Sequence, residues 1–241
     1  MTPLTANGFE APLVERREVA QDTMAFRFHV TGHAPHFQPG QACDVTLPDG
    51  QRHAFAIASS PTNARTVMIA ARMRDTPFKE TLRDLPFGAA VHIGPPTGTF
   101  TLPEDPMAPV VFLAGGIGIT PFRSMLKAML DTGDRRPVTL LCSNPTPQAT
   151  AFLDELEAWQ GALDLTLVPT ITKPETGGAD WKYEEGRIDA AMLQRHVRPD
   201  LLAKAIVYIS GPPAMVQDMA AMVRSLGVRT ANLKLDEFRG Y

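Results

Sequence analysis

The sequence predicts an N-terminal antiparallel β-barrel followed by a parallel α/β domain, and three observations carry that prediction. In the first hundred residues apolar and polar side chains alternate over short runs. The clearest run sets Met24, Phe26, Phe28 and Val30 against Ala25, Arg27 and His29, as in a strand with one buried face. From about Pro109 onward, apolar strand-like runs alternate with helical stretches, the pattern of a parallel sheet covered by helices. Between the first such run and its helix stands a glycine-rich turn, Ala114-Gly-Gly-Ile-Gly-Ile-Thr-Pro121.

Further strands of the first half are expected at Leu13–Val19, Ala42–Leu47, Ala54–Ala58, Thr66–Ala71 and Ala90–Ile93. Turn chemistry separates them at Pro39-Gly40, Pro48-Asp49-Gly50 and Ser60-Pro61-Thr62-Asn63. One short helix is expected around Phe78 to Leu85. Many short antiparallel strands joined this way suggest a closed barrel. Thr101–Met107, with two prolines, reads as a linker. Beyond it, strands are expected at Val110–Ala114, Val138–Cys142, Leu165–Val168, Ile206–Ser210 and Leu233–Leu235, and Lys173–Glu185 reads as a surface loop. The last helix carries Met215, Met219, Met222 and Leu226 on one face.

The glycine turn is the main chemical signal. Pro121 suits the first helical position, where its missing N–H has no intrahelical partner. Phe122, Met125, Leu126, Met129 and Leu130 then follow at the spacing of one buried helical face. Gly115, Gly116 and Gly118 remove side chains just where a helix N-terminus begins, which points to a phosphate or pyrophosphate. No Gly-Lys-Ser/Thr ending is present, so this is not a nucleoside-triphosphate loop. Pro121 also occupies the third glycine position of the ordinary dinucleotide fingerprint. The next strand ends in Ser143-Asn144, without a carboxylate for a ribose.

Bulk properties narrow the classes. At 241 residues, 44% hydrophobic and 20% charged, the chain can bury a core in one large or two ordinary domains. A formal charge of −3 and no basic cluster give no argument for nucleic acid. No apolar stretch approaches a membrane span, and Met1–Phe9 lacks a secretory pattern, so the cytoplasm is the expected address. Cys43 and Cys142 cannot supply a four-thiolate cluster, and both sit in apolar runs that suit buried free thiols. His33 and His36 are close together, but their Gly-Pro-rich loop offers no partnering ligands, and no metal site is expected.

Two further motifs precede the linker, Arg52-His-Ala-Phe-Ala-Ile-Ala-Ser-Ser-Pro61 and Gly94-Pro-Pro-Thr-Gly-Thr-Phe100. A third follows at Ser210-Gly-Pro-Pro-Ala-Met215, and the chain ends Glu237-Phe-Arg-Gly-Tyr241. In this order, with the glycine turn between, the motifs resemble those of the ferredoxin–NADP reductase superfamily, in particular its short bacterial flavin-dependent members. The resemblance implies a Greek-key flavin-binding β-barrel over residues 1–104. It further implies a five-stranded parallel α/β domain over 105–241 that binds NADH or NADPH.

Residue by residue, the resemblance implies the following site. The flavin, FAD or alternatively FMN, would lie on Arg52, His53, Ala54, Phe55 and Ala56. The family's arginine, tyrosine and serine stand here as His53, Phe55 and Ala56. Phe55 keeps an aromatic face, His53 lacks a permanent charge, and Ala56 cannot bond the flavin N5. Arg52 points to the opposite sheet face if the strand is regular. Lys79 and Thr81 begin the helix that meets the flavin pyrophosphate. Gly115, Gly116, Gly118, Ile119 and Thr120 would hold the nucleotide diphosphate, and Ser143 and Asn144 the adenosine ribose. The arginine that would grip a 2′-phosphate is replaced by Pro145, which tilts the reading toward NADH, unless Arg123 or Arg187 takes over. Gly211, Pro212 and Met215 would shape the nicotinamide pocket around Ser210. Glu237 is the carboxylate near the reacting rings, and Phe238 or Tyr241 would cover the flavin.

Ala56, Ser210, Glu237 and Tyr241 are therefore the expected catalytic positions, in a hydride transfer whose chemistry belongs to the cofactors. The electrons would pass to a small carrier such as a ferredoxin or flavodoxin, or to an oxygenase component. Two alternatives stand beside this reading: a reductase that uses free flavin as its substrate, and a redox-sensing subunit that binds a nucleotide without turning it over.

Overall fold

The computed structural model describes residues 8–31, 36–176 and 180–238. The chain divides into two compact units, residues 1–102 with 120–131, and residues 103–119 with 132–241.

The first unit is built on β1 (Phe9–Ala20), β2 (Thr23–His29), β3 (Ala42–Thr46), β4 (Arg52–Ala56), β5 (Thr66–Arg72) and β6 (Ala90–Ile93), with helix α1 at Pro77–Asp84. These strands form one antiparallel, barrel-like sheet in the order β4-β3-β6-β1-β2-β5. β6 is inserted between β1 and β3, so strands far apart in sequence are neighbours, as in a Greek key. After β4 the chain leaves β3 and turns to β5: Ile57 N–H donates to Gln41 O (2.9 Å) and Ala58 N–H to Met68 O (2.7 Å). The ends of the two edge strands are thereby drawn together. Phe26, Phe28 and Val30 are buried as their alternation requires, and they join Leu13, Cys43, Val45, Ile57, Ile69 and Leu82 in one core.

The second unit carries β7 (Val110–Gly115), β8 (Val138–Asn144), β9 (Leu165–Ile171), β10 (Glu184–Glu185), β11 (Ile206–Gly211) and β12 (Leu233–Glu237). All pair in parallel, in the order β10-β9-β8-β7-β11-β12. The five expected strands are present, but the sheet has six. β10 falls in the segment read as a surface loop, and two residues are too few to show a periodicity. It is held instead by contacts from elsewhere: Gly186 N–H to Ile171 O (2.8 Å), Thr170 Oγ1 to Gly186 O (2.7 Å) and Trp181 Nε1 to Glu184 O (2.9 Å). The helices after α1 are α2 (Thr120–Thr132), α3 (Leu153–Trp159), α4 (Ala190–His196), α5 (Pro199–Leu202) and α6 (Pro213–Ser225). One sheet face, with Val111, Leu113, Leu141, Val168, Val207 and Ile209, packs on Met192 and Leu193 of α4, Leu202 of α5 and Val216, Met219 and Val223 of α6.

Helix α2 follows the glycine turn directly yet groups with the first unit. Its buried polar residues explain this. Arg123 Nη1 donates to Ala58 O and Ser124 Oγ to Ser59 O, each at 2.6 Å, and Thr62 Oγ1 donates to Asp131 Oδ2 at 2.5 Å. Arg123 is 6% exposed, so its guanidinium is committed inside the fold.

His33 lies outside the described residues. Among the described residues no cluster of three or more His, Cys, Asp or Glu could hold a metal, and no helix is long and apolar enough to cross a membrane. Cys43 and Cys142 are free and buried, and burial pushes both thiols up to about 12.

Candidate functional site

In the second unit the chain runs outward from β7 in both directions, through β8 to β9 on one side and through β11 to β12 on the other. The carboxyl ends of β7 and β11 therefore flank the point where strand order reverses, the place where open parallel sheets bind ligands. Both ends carry a glycine turn. A 3₁₀ turn at Gly116–Ile119 separates β7 from α2, so the α-helix opens at Thr120, which is 1% exposed.

The glycines divide by role. A Cβ on Gly115 would collide with the Met215 thioether and lie 3.1 Å from Pro212 Cδ. A Cβ on Gly118 would collide with the Ser210 carbonyl oxygen and lie 2.8 Å from Gly211 Cα. Gly115 and Gly118 thus serve the packing of the two turns on each other. Gly116 alone is open: its φ is +54°, and nothing stands within 4 Å of where its Cβ would be. It leaves room for a ligand backbone in a conformation that other residues adopt only with strain.

Beside this, Ser143 and Asn144 end β8. Ser143 is half-buried in register with Gly115. Asn144 is 4% exposed, and its Oδ1 is the one buried side-chain polar atom without a hydrogen bond among the described residues. Such an orphan acceptor is costly unless a donor from outside completes it, so the residues present fit a nucleotide here.

On β11, Ser210 is fully buried, and its Oγ donates to Asp236 Oδ2 at 3.3 Å. Burial moves the Asp236 carboxyl above the usual range, and the Ser210 hydrogen bond pulls the other way. Glu237, the carboxylate expected near the rings, pairs with Gly211 and turns to α6, where Gln217 Nε2 donates to it. Asp236 was missed because alternation puts Asp236 and Glu237 on opposite faces without saying which one Ser210 shares. Phe238 is half-buried, with its N–H donating to Gly211 O at 2.9 Å. Tyr241 lies outside the described residues.

In the first unit, β4 pairs with β3 in unbroken register. Arg52 therefore points away from the His53 face and forms an ion pair with Asp44. His53 and Phe55 share a face with Phe78 of α1, and the three rings touch pairwise at centroid distances of 5.2, 5.5 and 5.6 Å. Ala54 is exposed and Ala56 buried. Thr76 caps α1, its Oγ1 accepting from Lys79 N–H at 3.4 Å. Lys79 is 8% exposed, and its ammonium is shifted down by burial and then by Arg74 and Arg72. A buried cation repelled by two others suits an anion, and the aromatic trio suits a planar ring, so a flavin fits these residues. Thr81 Oγ1 donates to Asp49 Oδ2 at 3.3 Å.

Residues 112–221 match the family model described as the oxidoreductase NAD-binding domain. Ferredoxin–NADP reductase B of Sorangium cellulosum is 31% identical over 235 residues, 92% of each chain. The propane 2-monooxygenase reductase component of Rhodococcus jostii is 30% identical over 209 residues, 84% of this chain but 55% of that protein. The chain thus spans little more than half the length of such oxygenase reductases. Among solved structures, the flavohem-like FAD/NAD-binding domain of nitric oxide dioxygenase from Vibrio cholerae superposes with a TM-score of 0.84 at 19% identity, covering 96% of this chain and 99% of that one. A ferredoxin NADP+ reductase from Neisseria gonorrhoeae, with bound FAD and NADP, gives 0.79 at 20% identity over 97% and 100%. The glycine turns, the two sheets and these similarities converge: the chain belongs to the ferredoxin–NADP reductase family.

Proposed function

We propose that this chain is an NAD(P)H-dependent flavoprotein reductase, with FAD on residues 1–104, the nicotinamide nucleotide on 105–241, and a ferredoxin, flavodoxin or oxygenase component as electron acceptor. The observation that carries the reading is the pair of glycine turns at the switch point of the parallel sheet, with Gly116 open beside the orphan Asn144 acceptor. The chemistry supplied by a bound flavin would be acceptance of a hydride from the nicotinamide and release of electrons one at a time. Phe55 offers that ring a face, and Lys79 offers its phosphates a charge. Gly116 and Thr120 hold the nucleotide diphosphate, and Ser143 and Asn144 its ribose. Ser210 and Asp236 hold a proton between Oγ and Oδ2 at the nicotinamide end. Cytoplasmic residence belongs to the same proposal, supported by the two free thiols.

A second reading, with free flavin as substrate, is favoured by one observation: His53, where the family's arginine stands, contacts Phe55 and Phe78 and carries no permanent charge. The test is an absorbance spectrum after gel filtration, followed by anaerobic titration with each nicotinamide. Retained flavin bleached by NADH or NADPH supports the main reading. A colourless protein that reduces added flavin supports the second. A protein that neither retains flavin nor reduces added flavin refutes both.

A further inference from the structure

We propose that Arg123 is a positioning residue for hydride transfer, its bond to Ala58 O fixing the first turn of α2 against the loop that leaves β4. This deepens the function proposed above and rests on it. Helix α2 follows the glycine turn in sequence, yet Thr120–Asp131 belongs to the first unit, as β4 does. Thr120, which opens α2, is the residue assigned to the nucleotide diphosphate, and Phe55 on β4 is assigned to the flavin ring. Both holds thus lie in one unit, and whatever seats α2 sets one against the other. In the reaction a hydride leaves the nicotinamide C4–H bond with both electrons and joins the flavin ring, giving oxidised nicotinamide and reduced flavin. The chain contributes alignment, and a misplacement of about 1 Å can cost on the order of 100-fold in rate.

The apolar side chains of α2 settle that it is buried. Phe122 packs on Phe100 with ring centroids 5.8 Å apart, and a Cβ on Gly40 would collide with the Met125 methyl. Such contacts have no direction and tolerate a slide or a small rotation of the helix, whereas hydrogen bonds do not. Arg123 Nη1 and Ser124 Oγ donate to successive carbonyls, Ala58 O and Ser59 O. Those two residues are themselves held, Ala58 N–H donating to Met68 O at 2.7 Å and Met68 N–H to Ser59 Oγ at 3.1 Å. At the other end of α2, Thr62 Oγ1 donates to Asp131, which also pairs with Lys127. The helix is therefore pinned at both ends to the loop Ala58–Thr62. Arg123 is the charged donor among these pins, which makes its bond the strong one. It stands one turn from Thr120, so a tilt there reaches the start of the helix directly. Burying a guanidinium is a poor source of stability beside an apolar side chain of like volume, but its directed bond fixes position.

The test uses the full chain as Arg123→Met and Arg123→Lys, with Leu193→Ala, a cavity in the core under α4, as the control for lost stability. In the flavin-free protein, amide exchange across Ser59–Thr62 and α2 should quicken by at least about 10-fold in Arg123→Met, and exchange across β9 should not. With the protein saturated in flavin and mixed anaerobically with saturating NADH or NADPH, Arg123→Met should bleach about 10- to 100-fold more slowly. Its nucleotide Kd should stay within about 3-fold of wild type, the split expected when alignment and not binding is lost. The long-wavelength charge-transfer band of stacked rings should weaken with the rate, and Arg123→Lys should recover most of both. Leu193→Ala should lower Tm and leave the bleaching rate unchanged. An unchanged rate in Arg123→Met, a loss confined to nucleotide affinity, or failure of both Arg123 variants to fold overturns the positioning role and leaves the reductase reading intact. Equal slowing by Leu193→Ala does the same. Wild-type protein that bleaches no flavin, retained or added, overturns the reductase reading and the positioning role together.

Discussion

The α-carbon of Gly118 faces the backbone of Ser210 so closely that a methyl group there would lie 2.6 Å from the Ser210 carbonyl carbon. Two turns that begin almost a hundred residues apart are locked together by what their glycines lack. Gly118→Ala must push β11 and its turn away from β7, at a cost of about 1–3 kcal/mol. Gly116→Ala meets open space and pays only for its left-handed backbone, about 1–2 kcal/mol. Urea titration should rank Gly118→Ala as the less stable. On the proposed nucleotide site, affinity should fall in both variants, since Gly118 packs the turn that carries the open Gly116.

Asp236 titrates above the usual carboxylate range because it is buried, with Ser210 opposing that shift. Removing the hydroxyl in Ser210→Ala takes away a bond that favours the ionised form, so the limb of the pH–rate profile assigned to Asp236 should move to higher pH. A carboxyl raised on folding stabilises the fold below its unfolded pKa and loses that contribution as pH rises through the folded value. Asp236→Asn should therefore flatten the fall in Tm between pH 4 and the neutral range. Glu237→Gln, on the other sheet face, should leave the pH–rate limb where it is.

Lys79 is shifted down, so the folded protein without ligand pays for its charge. A lysine lowered on folding costs stability at neutral pH, a cost relieved as pH rises toward the unfolded value. Lys79→Met should raise the Tm of the flavin-free protein at pH 7 and lower its retention of flavin on gel filtration. A variant that loses stability without changing flavin retention would remove Lys79 from the flavin site.

Cys43 and Cys142 lie at about 12 in two different cores. A thiol-reactive disulfide reagent at pH 8 should label neither in the native protein and both in guanidinium, since only the thiolate reacts.

Ser124 donates to Ser59 O inside the first unit. Ser124→Ala leaves that carbonyl unsatisfied and should cost about 1–3 kcal/mol in urea unfolding. The loss should appear as an earlier midpoint with an unchanged m-value.

Much of this architecture is legible in the chain because its signals are local. The alternation around Phe26 and Phe28 needs only a strand with one wet face, and the apolar run Val110–Ala114 needs only a strand covered on both sides. The glycine turn is visible because few residues other than glycine tolerate such crowding. The two-residue strand β10 is invisible because it depends on bonds to other segments, Gly186 N–H to Ile171 O, Thr170 Oγ1 to Gly186 O and Trp181 Nε1 to Glu184 O.

The sequence by itself determined the two kinds of sheet, the burial of both cysteines in apolar runs, and the glycine turn that opens the parallel sheet. Tertiary structure decided what those glycines approach and which of Asp236 and Glu237 shares a face with Ser210. The physical reason is register. Period-two alternation assigns neighbours to opposite faces, but only hydrogen bonds to a strand distant in sequence decide which face meets which partner.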